Sequence, residues 1–261
     1  MPAEEGTAPV ALVTGATRGL GRLVAERLVA RRYVVVTGST GDRPPGVGEA
    51  LHLRTDVTDP AAVDRLVRAA QERSGRVDVL VNNAGFANPV GSIPDTSDAT
   101  ATRCFATNVL GPYYLLRRVL PGMASAPSGG VVINVASRAG LTPIPGLAAY
   151  SASKTALVAL TLAAAKEHPD GRVLCVSVCP GGMDTEMRAS VYGREDARGQ
   201  LDPRPVADLV VEIATQRTIS TRPVPSGAAV LITRDGGTRI VDWATDERGH
   251  ASFGPRSEAN R

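Results

Sequence analysis

Residues 10–21 read Val10-Ala11-Leu12-Val13-Thr14-Gly15-Ala16-Thr17-Arg18-Gly19-Leu20-Gly21. Val10–Thr14 is an unbroken apolar run rich in β-branched residues, the composition of a strand buried on both faces. Glycines follow at once. Gly21–Arg32 then places Leu23, Val24, Leu28 and Val29 on one face, the spacing of a helix. A strand that turns through glycines into a helix brings bare backbone N–H groups and a partially positive helix N-terminus to one spot. That spot suits a pyrophosphate. The spacing is GxxxGxG rather than GxGxxG, and a plain strand-to-helix turn is the alternative reading.

The same alternation continues along the chain. Strands are expected at Tyr33–Thr37, Ala50–Thr55, Val77–Val81, Gly130–Val135 and Arg172–Val178. Ser39–Gly48 is rich in glycine and proline and reads as a loop. Asp59 followed by Pro60 marks a helix start that runs to about Arg73. A long helix is expected over Ala101–Met123, bent at Gly111-Pro112, and another over Ala149–Glu167. Pro205–Gln216 reads as helical, and Ala228–Thr233 with Arg239–Trp243 as a β-hairpin across Asp235-Gly236-Gly237. Apolar strands separated by helices predict an α/β fold, a doubly wound parallel sheet covered on both faces. In such sheets ligands sit at the carboxyl ends of the strands. One domain is expected over residues 1–243, with a polar tail over 244–261.

Composition removes several function classes. The 261 residues carry 29 basic and 26 acidic side chains, a net charge of +3, without a basic run that would suit nucleic acid. No uninterrupted apolar stretch reaches the length of a membrane span, and MPAEEGTAP is too polar for a signal peptide. Cys104, Cys175 and Cys179 are too few and too scattered for a disulfide framework or a zinc site, and His52, His168 and His250 suggest no metal. A reducing, cytoplasmic compartment is the expectation.

Among the basic residues only Lys154 and Lys166 are lysines. Lys154 lies four positions after Tyr150 at a helix start, so the two share a face. A free phenol has a pKa near ~10, and a neighbouring ammonium would lower it, making a plausible general acid/base. Lysine also offers three donors on a flexible stem, which suits ribose hydroxyls. Two surface residues on a helix are the alternative. Ser137 ends the strand GVVINVAS, where its hydroxyl could hold a carbonyl oxygen or merely cap a turn. Arg138 follows it and could meet an anionic substrate, or face solvent or an interface. Asn108 lies mid-helix, where asparagine is unfavourable by propensity.

Thr14-Gly15-Ala16-Thr17-Arg18-Gly19-Leu20-Gly21 resembles the TGxxxGxG fingerprint of the short-chain dehydrogenase/reductases, in their single-domain branch of about 250 residues. Further segments match in order: Asp56-Val57 after the third strand, Asn82-Asn83-Ala84-Gly85 after the fourth, Asn108 within the long helix, Ser137, then Tyr150-Ser151-Ala152-Ser153-Lys154, and Pro180-Gly181 with Thr185 behind it. The resemblance implies a Rossmann-like fold and a nicotinamide dinucleotide lying across the strand ends. Thr14 through Gly21 would cradle its pyrophosphate. Asp56 and Val57 would contact adenine, Asn82, Ala84 and Gly85 would line the adenosine side, and Pro180, Gly181, Met183 and Thr185 would grip the carboxamide. Ser137 would hold the substrate oxygen, Tyr150 would donate a proton, Lys154 would tune Tyr150 and bind the ribose, and Asn108 would complete a proton relay.

In members that prefer NAD an acidic residue ends the second strand. Ser39 stands there instead, followed by Thr40, so the resemblance implies NADPH, with Arg18 or Arg43 supplying charge. The short proline-rich segment that follows leaves no room for the helix often found there. Residues 183–203 correspond to a substrate lid. The expectation is an NADPH-dependent carbonyl reductase of small molecules, reversible to alcohol oxidation, with no nucleic-acid or membrane partner. A homotetramer or homodimer built on the two long helices is implied as well. A non-catalytic dinucleotide sensor, or a dehydratase or epimerase on the same scaffold, is the alternative. The segment around Trp243 departs from the family pattern.

Overall fold

A computed structural model describes residues 8–42, 46–48, 50–233 and 235–241. The chain alternates β1 (Val10–Thr14), α1 (Gly19–Ala30), β2 (Val34–Ser39), β3 (Leu51–Arg54), α2 (Pro60–Ser74), β4 (Val79–Asn82), α3 (Asp98–Phe105), α4 (Gly111–Ser125), β5 (Gly130–Val135), α5 (Ala148–Lys166) and β6 (Val173–Pro180). Two short helices follow, α6 (Glu186–Tyr192) and α7 (Arg194–Arg198), then α8 (Pro203–Gln216), a two-residue pair β7–β8 (Thr218–Ile219, Arg222–Pro223), β9 (Ala229–Ile232) and β10 (Thr238–Val241).

Eight strands form one sheet in the order β10-β9-β6-β5-β4-β1-β2-β3. Every pairing is parallel except β9 with β10, the expected hairpin. The order reverses between β1 and β4, which pair through Ala11–Val79, Leu12–Leu80 and Val13–Val81. The loops leaving these strands therefore diverge and open a crevice at their carboxyl ends. The strands are apolar throughout because both faces are covered. Leu20, Val24 and Leu28 of α1 join Val206, Val210 and Ile213 of α8 on one face. Leu66 of α2 joins Leu115, Val119 and Met123 of α4 on the other, where α5 also packs. The sheet is thus doubly wound, as expected.

Helix α5, at 19 residues, is long and apolar enough to cross a membrane by length and composition. Its apolarity has another use here, since Leu157, Val158, Ala164 and Ala165 are buried against the protein core. A polar ladder pins the helix to the sheet. Asn82 Nδ2 donates to Asn134 Oδ1 at 2.7 Å, and Asn134 Nδ2 to Thr161 Oγ1 at 2.8 Å. Ser177 Oγ also donates to Thr161 Oγ1 at 2.8 Å, and Thr161 passes its own proton to the Leu157 carbonyl.

The structure departs from expectation in three places. The long helix starts earlier, at Asp98 with Ser97 as its cap, and its irregularity is a π-helical turn over Ala106–Leu110 rather than a bend at Gly111-Pro112. The stretch read as a lid contains α6 and α7, whose brevity hid them in a glycine-interrupted sequence. β6 runs on to Pro180, which pairs with Ile232 at the sheet's end. No helix lies between β2 and β3 among the described residues. Arg43, Trp243 and the 244–261 tail lie outside the described residues.

Candidate active site

Two cavities open at the carboxyl edge of the sheet and share Tyr150, Met183, Thr185 and Met187. The larger is a groove of about 520 Å³. Its walls include Gly15, Thr17, Arg18, Gly19 and Leu20 from the first loop, Ser39 and Thr40 after β2, Asp56 and Val57 after β3, Ala84 and Gly85 after β4, and Lys154. The smaller, about 100 Å³, is lined by Ser137, Arg138, Gly181 and the α6 residues Arg188, Val191 and Tyr192 among others.

The glycine turn is built for close approach. Gly15 has φ +66°, and a Cβ there would lie 2.8 Å from the Ala84 backbone. Gly21 does different work. A side chain on it would overlap the Gly15 carbonyl and the Asn83 amide, so its place is the seam between loop and helix. Thr14 also lies beneath the groove. Its Oγ1 accepts from the backbone N–H groups of Asn83 and Ala84, each at 3.1 Å, tying β1 to β4 across the crevice. Asn83 Nδ2 completes the tie by donating to the Thr14 and Gly15 carbonyls at 3.0 Å. Thr14, Gly21, Asn82 and Pro180 therefore support the groove from below and do not line it, and Gly181 lines the smaller cavity only. Asn83, within the Asn82–Gly85 segment expected on the adenosine side, does line it.

The groove suits a dinucleotide on two counts. Bare backbone meets the N-terminus of α1 at Gly15–Leu20. At the far end Ser39 Oγ is buried without a hydrogen-bond partner among the described residues. Such a group is costly to leave unpaired, and a ribose or phosphate oxygen would satisfy it. Asp56 is held by Thr58, whose N–H and Oγ1 both donate to its Oδ1. Arg18 crosses the mouth to Glu186 of α6, 2.6 Å away.

Tyr150, Lys154, Ser137 and Asn108 come together on three elements. Tyr150 and Lys154 sit one turn apart on α5, with Lys154 Nζ 5.9 Å from the Tyr150 ring centre. Lys154 Nζ donates to the Val135 carbonyl at 2.8 Å. Ser137 follows β5, accepts from the Ala139 N–H at 3.1 Å, and acts on the Tyr150 phenol in the direction of a lower pKa. Asn108 faces inward and is buried. Its Oδ1 accepts from Phe86 N–H and its Nδ2 donates to Phe86 C=O, both at 2.8 Å, and Nδ2 also donates to Ser153 Oγ at 2.9 Å. Gly85 is the meeting point, since its Cβ position would lie 3.4 Å from Asn108 Oδ1 and 3.6 Å from Lys154 Nζ. The π-turn is what swings Asn108 out of helical register to reach Phe86.

Burial dominates the electrostatics. It pushes Lys154 down to about 8 and raises the Tyr150 phenol above its ordinary value. The offset on Tyr150 comes from the Ser137 hydrogen bond, not from the Lys154 ammonium as the sequence suggested. The phenol therefore holds its proton at neutral pH. Burial also pushes Cys175 and Cys179 up to about 12, so both are inert small hydrophobes. No cluster of metal-ligating side chains occurs among the described residues.

Residues 9–196 match the short chain dehydrogenase family. The chain is similar to the 2-(R)-hydroxypropyl-CoM dehydrogenase of Xanthobacter autotrophicus, 31% identical over 88% of this chain and 93% of that protein. It is also similar to a granaticin polyketide synthase putative ketoacyl reductase of Streptomyces violaceoruber, 32% identical over 89% and 90%. Among solved structures, the 3-ketoacyl-(acyl-carrier-protein) reductase from Brucella melitensis complexed with NADH superposes with a TM-score of 0.77 at 27% identity, over 86% of this chain and 96% of that one. ElxO with NADP bound gives 0.76 at 25% identity, over 86% and 97%. The chain belongs to the short-chain dehydrogenase family, oxidoreductases that act on hydroxyl or carbonyl groups with a nicotinamide dinucleotide.

Proposed function

We propose that the protein reduces a ketone or aldehyde to an alcohol with NADPH. The observation that carries this reading is that Tyr150 lies where the long groove meets the small cavity, with its proton held on the phenol. The residues of the groove, Gly15–Leu20, Ser39 and Lys154 among them, would hold a nicotinamide dinucleotide, which would supply the hydride. Ser137 hydrogen-bonds the carbonyl oxygen and orients it beside the phenol. Tyr150 gives its proton to the developing alkoxide, a far stronger base than phenolate, so the transfer runs downhill. Lys154, mostly an ammonium at neutral pH given its pKa of about 8, holds the ribose and is the nearest source from which Tyr150 regains a proton. Asn108 fixes the Phe86 backbone beside this group and links it to Ser153, in keeping with a place in the relay.

NADPH over NADH rests on Ser39 and Thr40 standing where a carboxylate would repel the 2′-phosphate. Arg18 is 69% exposed in its pair with Glu186, so moving it to a phosphate costs little. A homo-oligomer is part of the same proposal. Phe105, Leu110 and Tyr113, all at least 40% exposed, leave an apolar strip along α3, the π-turn and α4. A panel of ketones and aldehydes assayed by nicotinamide absorbance with both reduced cofactors tests the reading. Turnover with NADPH ahead of NADH supports it, and consumption of neither cofactor by any carbonyl overturns it.

A further inference from the structure

Two arginines, Arg138 and Arg188, are among the residues lining the small cavity, and no acidic residue is among the described ones. The two are not equivalent. Arg188 is already committed: its Nε and Nη2 donate to the two oxygens of Asp196, at 2.5 and 3.1 Å, and its plane stacks 3.7 Å from the Tyr192 ring centre. It forms a compensated wall. Arg138 is exposed and has neither an ion pair nor a side-chain hydrogen bond among the described residues. Its backbone nevertheless has a fixed place. It opens the 3-10 turn Arg138–Gly140, which presses on α5 where a Cβ on Gly140 would lie 2.8 Å from the Lys154 backbone. Thr155 Oγ1 donates to the Gly140 carbonyl at 3.0 Å, closing the contact. A free cation is thus hung one residue beyond Ser137, from the same rigid turn that places the hydroxyl. The rest of the cavity wall near it is apolar, with Ile144, Leu147 and Val191.

We infer that the carbonyl substrate carries an anionic group, a carboxylate or its equivalent, a few bonds from the reacting carbon, and that Arg138 is the residue that selects it. This rests on the carbonyl-reductase reading above and narrows its substrate class. The planar guanidinium binds a carboxylate with two parallel hydrogen bonds, and filling the cavity removes the water that would otherwise screen them. Arg138 touches neither the reacting carbon nor the cofactor in this assignment, so its effect falls on KM.

The test compares acetoacetate and levulinate, each beside its methyl ester, with both reduced cofactors, for the natural protein, Arg138→Met and Arg138→Lys. The natural protein should prefer the acids. Arg138→Met should raise KM for the acids about ten-fold or more, a typical loss for a charge-assisted pair, with kcat and the ester kinetics unchanged. Arg138→Lys should recover part of the loss. Butanoate, which has no ketone to reduce, should compete with the esters in the natural protein and lose that effect in Arg138→Met. Equal use of acid and ester by the natural protein and Arg138→Met alike would overturn the inference while leaving the reductase reading intact. Failure of all four compounds beside turnover of other carbonyls in the panel would overturn the inference and leave the reductase reading standing, whereas a whole panel that consumes neither cofactor would overturn both.

Discussion

Lys154 and Tyr150 share one turn of α5, yet the Lys154 Nζ points past the Tyr150 ring, 5.9 Å from its centre, to the Val135 carbonyl. An ammonium placed there is far from water, and burial lowers its pKa from 10.5 to about 8. Between these two values the unfolded chain binds a proton that the folded chain has released. Stability contributed by this group therefore rises with pH across the window from about 8 to about 10.5. The full range is about 3 kcal/mol at ~1.4 kcal/mol per pH unit, an order-of-magnitude figure. Lys154→Met should flatten that slope. Urea unfolding of both proteins below and above the window reads it, and parallel pH profiles would contradict the burial of a charged lysine.

The Asn108 side chain is a two-way clamp on Phe86, accepting from its N–H and donating to its carbonyl. Asn108→Ala should leave both half-buried Phe86 backbone groups without this partner, costing about 1–3 kcal/mol in all. Turnover should fall as well, because Gly85 and Phe86 line the groove. Thermal unfolding with activity measured on the same samples checks both. Asn108→Asp should restore the bond from Phe86 N–H and little of the activity, since its carboxylate cannot donate to Ser153.

Thr161 collects two donors, Asn134 Nδ2 and Ser177 Oγ, where the sheet meets α5. Thr161→Val keeps the shape and removes the acceptor. The expected loss is about 1–3 kcal/mol of stability, from stranded buried donors. A change within experimental error in denaturant unfolding would show that the ladder is incidental.

Much of this architecture was legible in the sequence because it depends on short-range rules. Unbroken apolar runs marked the strands, and Asp59-Pro60 marked the start of α2, where Asp59 indeed caps Ala61 N–H at 2.9 Å. The positions of Tyr150, Lys154 and Ser137 followed from strand ends and helix spacing. What stayed hidden depends on contacts between distant segments. Thr14 and Asn83 bond across the crevice with a separation of 69 residues, so nothing local marks them as a brace. The π-turn at Ala106–Leu110 arises because Asn108 reaches Phe86, a tertiary pull that helix propensity does not contain. The direction of the Tyr150 pKa shift was misjudged because spacing reveals a neighbouring charge but not the desolvation that outweighs it.

All three cysteines are buried, and burial raises the pKa of each thiol. A chromogenic disulfide reagent at neutral pH should therefore find no fast-reacting thiol in the native protein and three after denaturation. Rapid labelling without unfolding would mean that the wall around Cys104 or Cys179 opens.

The central claim is that the Tyr150 phenol delivers the proton at the junction of groove and cavity. Tyr150→Phe removes one oxygen and keeps the ring, so the most direct measurement pairs its kcat/KM with its affinity for NADPH from fluorescence titration. The account predicts a loss of at least about 100-fold in kcat/KM, the usual scale of a general acid, with NADPH affinity within about two-fold of the natural protein. Turnover within a few-fold of the natural protein would contradict it.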